Sequence, residues 1–185
     1  MTIEIISGSA RKESITRRIA FYLQKVLSEK TEHKVNIIDV RDWEFPPTLE
    51  CVYSSVEHAP DAHKPLAERM FAADAFILVS PEYNGSFSVF LKNLLDHFPK
   101  QVHKAFGIAT GAPGALGGVR AALQLQALVT ALFGIASPYM LVTPFVEKKI
   151  SESGELVDGS FQGMVDSFTT EFLWLSTKLT GSESK

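Results

Sequence analysis

The sequence predicts a doubly wound parallel α/β sheet: five strands in the order 2-1-3-4-5, with helices on both faces. Three observations predict it. Short apolar runs rich in β-branched residues alternate along the chain with segments whose apolar residues recur at helical spacing. There is no internal repeat and no linker long enough to divide the chain, so the alternation describes one sheet. The length, 185 residues, suits one α/β domain with a full core, and residues 1–185 are read as a single domain.

Ile3 to Ser7 is the first strand. Gly8-Ser-Ala-Arg-Lys-Glu-Ser-Ile-Thr16 follows, and Ile15, Ile19, Tyr22, Leu23, Val26 and Leu27 then mark a helix to about Lys30, with Ser14 as the N-cap of its well-formed part or the start slightly earlier. Free N–H groups at a helix start favour an anion, to which Arg11 adds charge and Ser9, Ser14 and Thr16 add hydroxyls. A serine-rich turn with a surface arginine is the equal alternative. The loop has neither GxxxxGK[ST] nor GxGxxG. Val35 to Val40 is the second strand. From Arg41 to about Pro60 the chain is irregular, with Pro46 and Pro47 forbidding regular structure. Trp43, Phe45 and Tyr53 there cover a site or a subunit contact, or simply pack over the core edge, the last being favoured.

A short helix ends near Phe71. Phe76 to Ser80 is the third, buried strand. Pro81-Glu-Tyr-Asn-Gly-Ser86 leads from it into a helix with Phe87, Phe90, Leu91, Leu94, Leu95 and Phe98 on one face. At the carboxyl end of a parallel strand, Glu82, Tyr83, Asn84, Gly85 and Ser86 would line a ligand crevice, an ordinary β-to-α connection being the equal alternative. Ala105 to Ala109 is the fourth strand. Thr110 to Gly118 then carries four glycines in nine residues, which either let backbone approach a flat or charged ligand or serve tight turns. A helix runs on to Gly134, and Ser137 to Val142 is the fifth strand. Lys148 to Ser160 reads as a hairpin or loop. A last helix buries Phe161, Met164, Val165, Phe168, Phe172, Leu175 and Leu179, and the polar tail from Gly181 is expected to fray.

Composition narrows the function. A net charge of −3 gives no electrostatic case for nucleic acid or anionic membrane as a partner. No apolar run approaches the ~20 residues of a spanning helix, and no signal peptide is visible. The single cysteine, Cys51, cannot form an internal disulfide, so a reducing cytoplasm is the simplest setting. His58 and His63 belong to no ligand-spaced cluster, and no metal site is expected.

Right-handed crossovers bring three loops to one crevice: those after strands one, three and four. A flavin mononucleotide (FMN) fits the division, with phosphate on the first loop and the ring system against the other two.

These residues resemble the NADPH-dependent FMN reductase family, flavodoxin-like proteins that include quinone, azo-dye and chromate reductases. Gly8-Ser-Ala-Arg-Lys-Glu-Ser-Ile-Thr16 is similar to the family's GSxRxxSxN/T loop. Pro81-Glu-Tyr-Asn84 with Leu91-Lys-Asn93 and Asp96 is similar to its PEYN…LKNxxD signature, and Gly117-Gly-Val-Arg-Ala121 to its GGxRA segment. The resemblance covers roughly Thr2 to Val142. It implies that Ser9, Arg11, Ser14, Ile15 and Thr16 hold the phosphate. It further implies that Pro81, Glu82, Tyr83, Asn84 and Gly85 lie beside the ribityl chain and ring, and that Thr110, Gly111, Gly117 and Gly118 lie near the pyrimidine end. Gly85, His97-Phe98, Thr110 and Ala112 depart from common family residues, which bears on the shape above the ring. Lys92, Asp96 and Arg120 are expected to be structural, with Lys92 and Asp96 pairing across one helix turn.

The implied activity is a two-step flavin oxidoreductase, in which NADPH or NADH reduces FMN and a small-molecule acceptor then takes the electrons. The cofactor carries the chemistry, so no protein acid, base or nucleophile is nominated. The family also implies a homodimer or homotetramer. Phe87, Phe90 and Phe98 serve either core or interface. The alternatives are a flavodoxin-like electron carrier and a non-catalytic FMN-binding protein.

Overall fold

The computed structural model describes residues 1–47 and 49–181. The elements in chain order are β1 (Thr2–Ser7), α1 (Thr16–Lys30), β2 (Lys34–Asp39), α2 (Lys64–Ala72), β3 (Ala75–Pro81), α3 (Val89–Asp96), β4 (Ala105–Ala112), α4 (Val119–Ala131), β5 (Ile135–Ala136), β6 (Leu141–Pro144), α5 (Val146–Lys149) and α6 (Gln162–Thr180). All named strands pair in parallel, in the order β2-β1-β3-β4-β5, with β6 also on β4. The tail beyond Gly181 lies outside the described residues.

The pleat sends alternate residues to two cores. Ile3, Ile5, Ile77, Val79 and Ala109 meet α1 and α6 through Ile19, Leu23, Phe168 and Phe172. Ile6, Phe76, Leu78, Phe106 and Ile108 meet α2, α3 and α4 through Leu66, Leu94 and Leu125. Helices thus cover both faces. Gly107 keeps one contact tight, because a Cβ there would stand 2.9 Å from Phe168 Cζ.

Three expectations change. The fifth strand is two pieces: β5 pairs with Ala105–Phe106 and β6 with Ala109–Ala112. The expected Ser137 to Val142 therefore straddles the break between them, where Pro138 has no N–H to give a ladder. α3 begins behind Ser88, whose hydroxyl accepts from Phe90 N, so Phe87 precedes the helix. Phe90 leaves the buried face altogether and is 48% exposed, while Leu91, Leu94 and Leu95 fill the core. On α6, Leu179 lies beyond the buried stripe and is exposed.

The segment after β2 settles largely as packing. Tyr53 is buried and its hydroxyl bonds His63 Nδ1 at 3.0 Å. His63 Nε2 donates to Glu44 O at 3.0 Å. The Phe45 ring sits 4.5 Å from both His63 and His97, whose imidazoles the sequence reading had not placed there. Trp43 is only half-buried.

Candidate functional site

The first loop runs from β1 to α1 and leaves the sheet at a glycine that has no room to be anything else. A Cβ on Gly8 would stand 2.9 Å from Val79 O, the carbonyl to which Gly8 N–H already donates at 2.8 Å. Ser9 and Thr16 are buried, while Arg11, Lys12 and Glu13 face solvent. Among the described residues, no backbone N–H from Ser9 to Thr16 has an acceptor. The Ser14 and Thr16 hydroxyls lie 3.2 Å apart, and Ser14 Oγ accepts from Arg17 N at 3.3 Å. Ser14 therefore does the work of a cap, although Ile15 precedes the first helical residue and makes no side-chain cap bond. Unpaired N–H groups, two adjacent hydroxyls, the positive end of α1 and Arg11 form a donor set suited to a phosphate dianion.

A carboxylate missed in the sequence holds this loop from behind. Asp39, buried at the end of β2, takes Arg41 Nε at 2.9 Å on Oδ1 and Arg41 Nη2 at 2.7 Å on Oδ2. Those hydrogen bonds raise the Arg41 guanidinium above its ordinary value. Arg41 Nη1 reaches on to Lys12 O at 3.5 Å. Arg17 Nε, in the first turn of α1, lies 2.9 Å from Asp39 Oδ2, close enough for an ion pair though angled out of hydrogen bonding. One buried acid thus anchors an arginine on each side of the loop.

The second loop is a hairpin turn. Tyr83 N donates to Ser86 O at 2.8 Å and Ser86 N to Tyr83 O at 3.1 Å. Asn84 and Gly85 both have positive φ, 51° and 82°. Asn-Gly is the dipeptide that favours such a two-residue turn, so these nominated residues have a conformational reason to be there. Ser80 Oγ closes the base by accepting from Ser88 N at 3.0 Å. Pro81 is the buried last residue of β3. Tyr83 is half-buried, with the Arg11 guanidinium 4.8 Å above its ring centre, so the first and second loops touch.

Glu82 is committed within the protein. Its Oε2 accepts from Arg120 N at 3.0 Å and Ala121 N at 3.4 Å, and Oε1 meets Arg120 Nη1 at 3.4 Å. A carboxylate from the second loop therefore caps α4, which starts at the end of the third. Lys92 Nζ meets Asp96 Oδ1 at 2.6 Å, the pair across one helix turn that the sequence predicts.

The third loop owes its glycines mainly to packing. A Cβ on Gly111 would fall 2.6 Å from both Ile19 Cδ1 and Val146 Cγ2. Gly117 and Gly118 have φ of 59° and 87°, and Cβ atoms there would strike Pro144 N at 2.7 Å and Thr110 Cβ at 2.9 Å. Thr110 Oγ1 is spent inside the loop, donating to Gly117 O at 3.1 Å. Only Gly114, on the exposed crest of the loop, faces open space.

β1, β3 and β4 are neighbours, so the three loops stand side by side at the carboxyl edge of the sheet. A 2-1-3-4-5 parallel sheet with a phosphate-type loop at this edge defines a flavodoxin-like protein. The chain belongs to the NADPH-dependent FMN reductase family, whose profile matches residues 1–144. It is 33% identical over 170 residues to the FMN-dependent NADPH-azoreductase of Staphylococcus aureus, a match covering 85% of this chain and 86% of that one. Its fold is similar to FerB, a flavoenzyme NAD(P)H:(acceptor) oxidoreductase of Paracoccus denitrificans, at a TM-score of 0.71 and 20% identity over 94% and 97% of the two chains. It is also similar to a flavodoxin of Pseudomonas aeruginosa, at a TM-score of 0.58 and 17% identity over 94% and 99%. The protein is an NAD(P)H-dependent oxidoreductase that uses FMN. Among the described residues, no helix is long and apolar enough to cross a membrane.

Proposed function

We propose that residues 1–185 act as one domain that binds FMN across the three loops and reduces small aromatic acceptors such as flavins, quinones or azo compounds. The observation that carries this reading is the run of unpaired N–H groups from Ser9 to Thr16 beside Arg11. Ser9, Arg11, Ser14, Ile15 and Thr16 hold the phosphate by backbone and side-chain donors. Pro81, Glu82, Tyr83, Asn84 and Gly85 flank the ribityl chain and ring. Thr110, Gly111, Gly117 and Gly118 flank the pyrimidine end. Glu82 and Thr110 contribute through backbone and position, because their side-chain oxygens are already bonded.

FMN held there would supply two-electron chemistry between NADPH or NADH and the second substrate. For a quinone the balance is NAD(P)H, one proton and quinone giving NAD(P)⁺ and hydroquinone. The chain's own part is binding and orientation. The first loop neutralises the phosphate, and the hairpin and the capped α4 fix two walls of the crevice. The protein works in the cytoplasm as a homodimer or homotetramer, following the family pattern.

The test is an absorbance spectrum after FMN addition and desalting, followed by anaerobic NADPH and then NADH. Retained flavin bands that bleach with nucleotide and return with an acceptor support the reading. Retained flavin that stays oxidised would instead make the protein an electron carrier.

A further inference from the structure

β2 is an outer strand: among the described residues only β1 pairs with it, and its other side meets no strand. Lys34 N donates to Met1 O at 3.1 Å. Lys34, Asn36 and Ile38 therefore turn their main-chain groups towards β1, and Val35 and Ile37 turn theirs outward. An open row of this kind can accept a further strand about 4.8 Å away. Here both outward carbonyls already take a side chain. Gln24 Nε2, from α1, donates to Val35 O at 3.1 Å, and Arg69 Nη2, from α2, donates to Ile37 O at 2.8 Å. α1 and α2 cover opposite faces of the sheet, so the two side chains come round one edge from either side.

Arg69 is fixed there by a carboxylate that has no part in the flavin site. Glu4, in the middle of β1, is 1% exposed. Its Oε1 accepts from Arg69 Nε at 3.2 Å and from Asn36 Nδ2 at 2.9 Å, and its Oε2 meets Arg69 Nη2. A carboxylate is costly to bury without such partners, and the rest of β1 buries mainly isoleucine. What the acid adds is an arginine held across the edge of the sheet. Gln24 and Arg69 stand with Lys34, Asn36 and Ile37 in a groove of about 720 Å³, in the lane that an added strand would occupy. Beyond it, Asp39 Oδ1 takes Arg41 N at 3.0 Å and turns the chain away.

We infer that Gln24 and Arg69 are a guard that keeps a second copy of this chain from adding its own β2 to this edge. The edge is self-complementary. A two-fold axis at Asn36 sets Val35 of each copy opposite Ile37 of the other, antiparallel, and the hydrogen bonds of that pair need the two carbonyls that are covered. The flavin site has no part in this contact, so the inference stands apart from the reading of the three loops.

The test uses the full chain and a fluorescein-labelled peptide of the β2 sequence, Lys34-Val-Asn-Ile-Ile-Asp39. Wild type is compared with Gln24→Ala and with the triple variant Glu4→Gln, Gln24→Ala, Arg69→Met, in which the buried pair leaves together so that no charge is stranded. Each is also made with Ile37→Pro, which removes an outward N–H at a position on an outer strand where proline is tolerated. By fluorescence anisotropy the triple variant should bind the peptide at least about tenfold more tightly than wild type, and Gln24→Ala about threefold, the scale of one or two net hydrogen bonds. By sedimentation velocity the triple variant should show a higher mass than wild type at equal concentration. Ile37→Pro should cancel both gains. Equal peptide affinity in wild type and triple variant, an unchanged mass, or gains that survive Ile37→Pro would each overturn the inference. If the triple variant lacks the wild-type circular dichroism, Gln24→Ala decides alone: a gain that Ile37→Pro cancels upholds the guard, and any other result overturns it.

Discussion

Replacing Arg11 with alanine separates a phosphate anchor from a surface arginine. In the structure the Arg11 guanidinium is exposed and rests over Tyr83 at 4.8 Å. A charge-assisted hydrogen bond to phosphate contributes roughly 1.5–3 kcal/mol. Moving the guanidinium off the tyrosine ring forfeits about 0.5–1 kcal/mol for an exposed cation–π contact. The difference, about 1–2 kcal/mol, corresponds to FMN binding about 5- to 30-fold more weakly in the variant. Riboflavin has the same ring and no phosphate, so its affinity should hardly change. The assay is a flavin-fluorescence titration of apoprotein with each ligand. The wild-type affinity for FMN should also fall with added salt more steeply than the variant's. Equal losses for the two ligands would refute the reasoning, because Arg11 would then be shaping the crevice through Tyr83.

Asp39→Asn releases both arginines behind the first loop, and the preference for FMN over riboflavin should fall by about three- to tenfold, on the order of 1 kcal/mol. Unchanged preference in the same titrations would leave Asp39 only a structural acid at the sheet edge. Glu82→Ala removes the cap on α4, a loss of about 1–2 kcal/mol to which the exposed Arg120 pair adds little. In a chain of this size that lowers Tm by roughly 2–8 °C, and an unshifted thermal melt would show that the carboxylate does not hold the helix. Burial depresses the His33 imidazole below its ordinary 6.5. The unfolded chain therefore takes up that proton more readily, and the associated stability is complete above about pH 6.5 and lost as pH falls through the lower folded value. Urea titrations of His33→Gln should show a smaller drop in stability from pH 7.5 to 5 than wild type, and an identical drop would discard the assignment.

The four continuous strands were legible because each is a compact β-branched run between helical periods, and their order follows from the handedness of the crossovers. The fifth position was not, because its pairing residues come from both ends of a proline-bearing stretch and neither piece alone is long enough to read. Phe90 fitted a helical face in the sequence but lands at its exposed edge, while Leu91, Leu94 and Leu95 take the core. At the site, the Asn84-Gly85 turn was available in the dipeptide itself and had been read only as polar loop. Asp39 left less of a trace: Arg41 stands two residues on, but Arg17 is brought to it only by the fold, and an acid ending a strand is ordinary in sequence. The glycines of the third loop were visible as unusual, but only packing distances tell a residue that clears room for a ligand from one that makes room for Ile19 and Val146.

The break in the fifth position bears on how the protein avoids sticking to itself. A long, flat border strand is a template on which foreign chains can extend a sheet. Here that border consists of a two-residue piece and a four-residue piece, with Pro138 in the gap and Pro144 ending the second. A passing strand would meet two short rows of pairing groups separated by a gap, with prolines that have no N–H to offer. Lateral growth from this side is interrupted after a few residues, a brake on fibre-like association written into the same kink that ends the sheet.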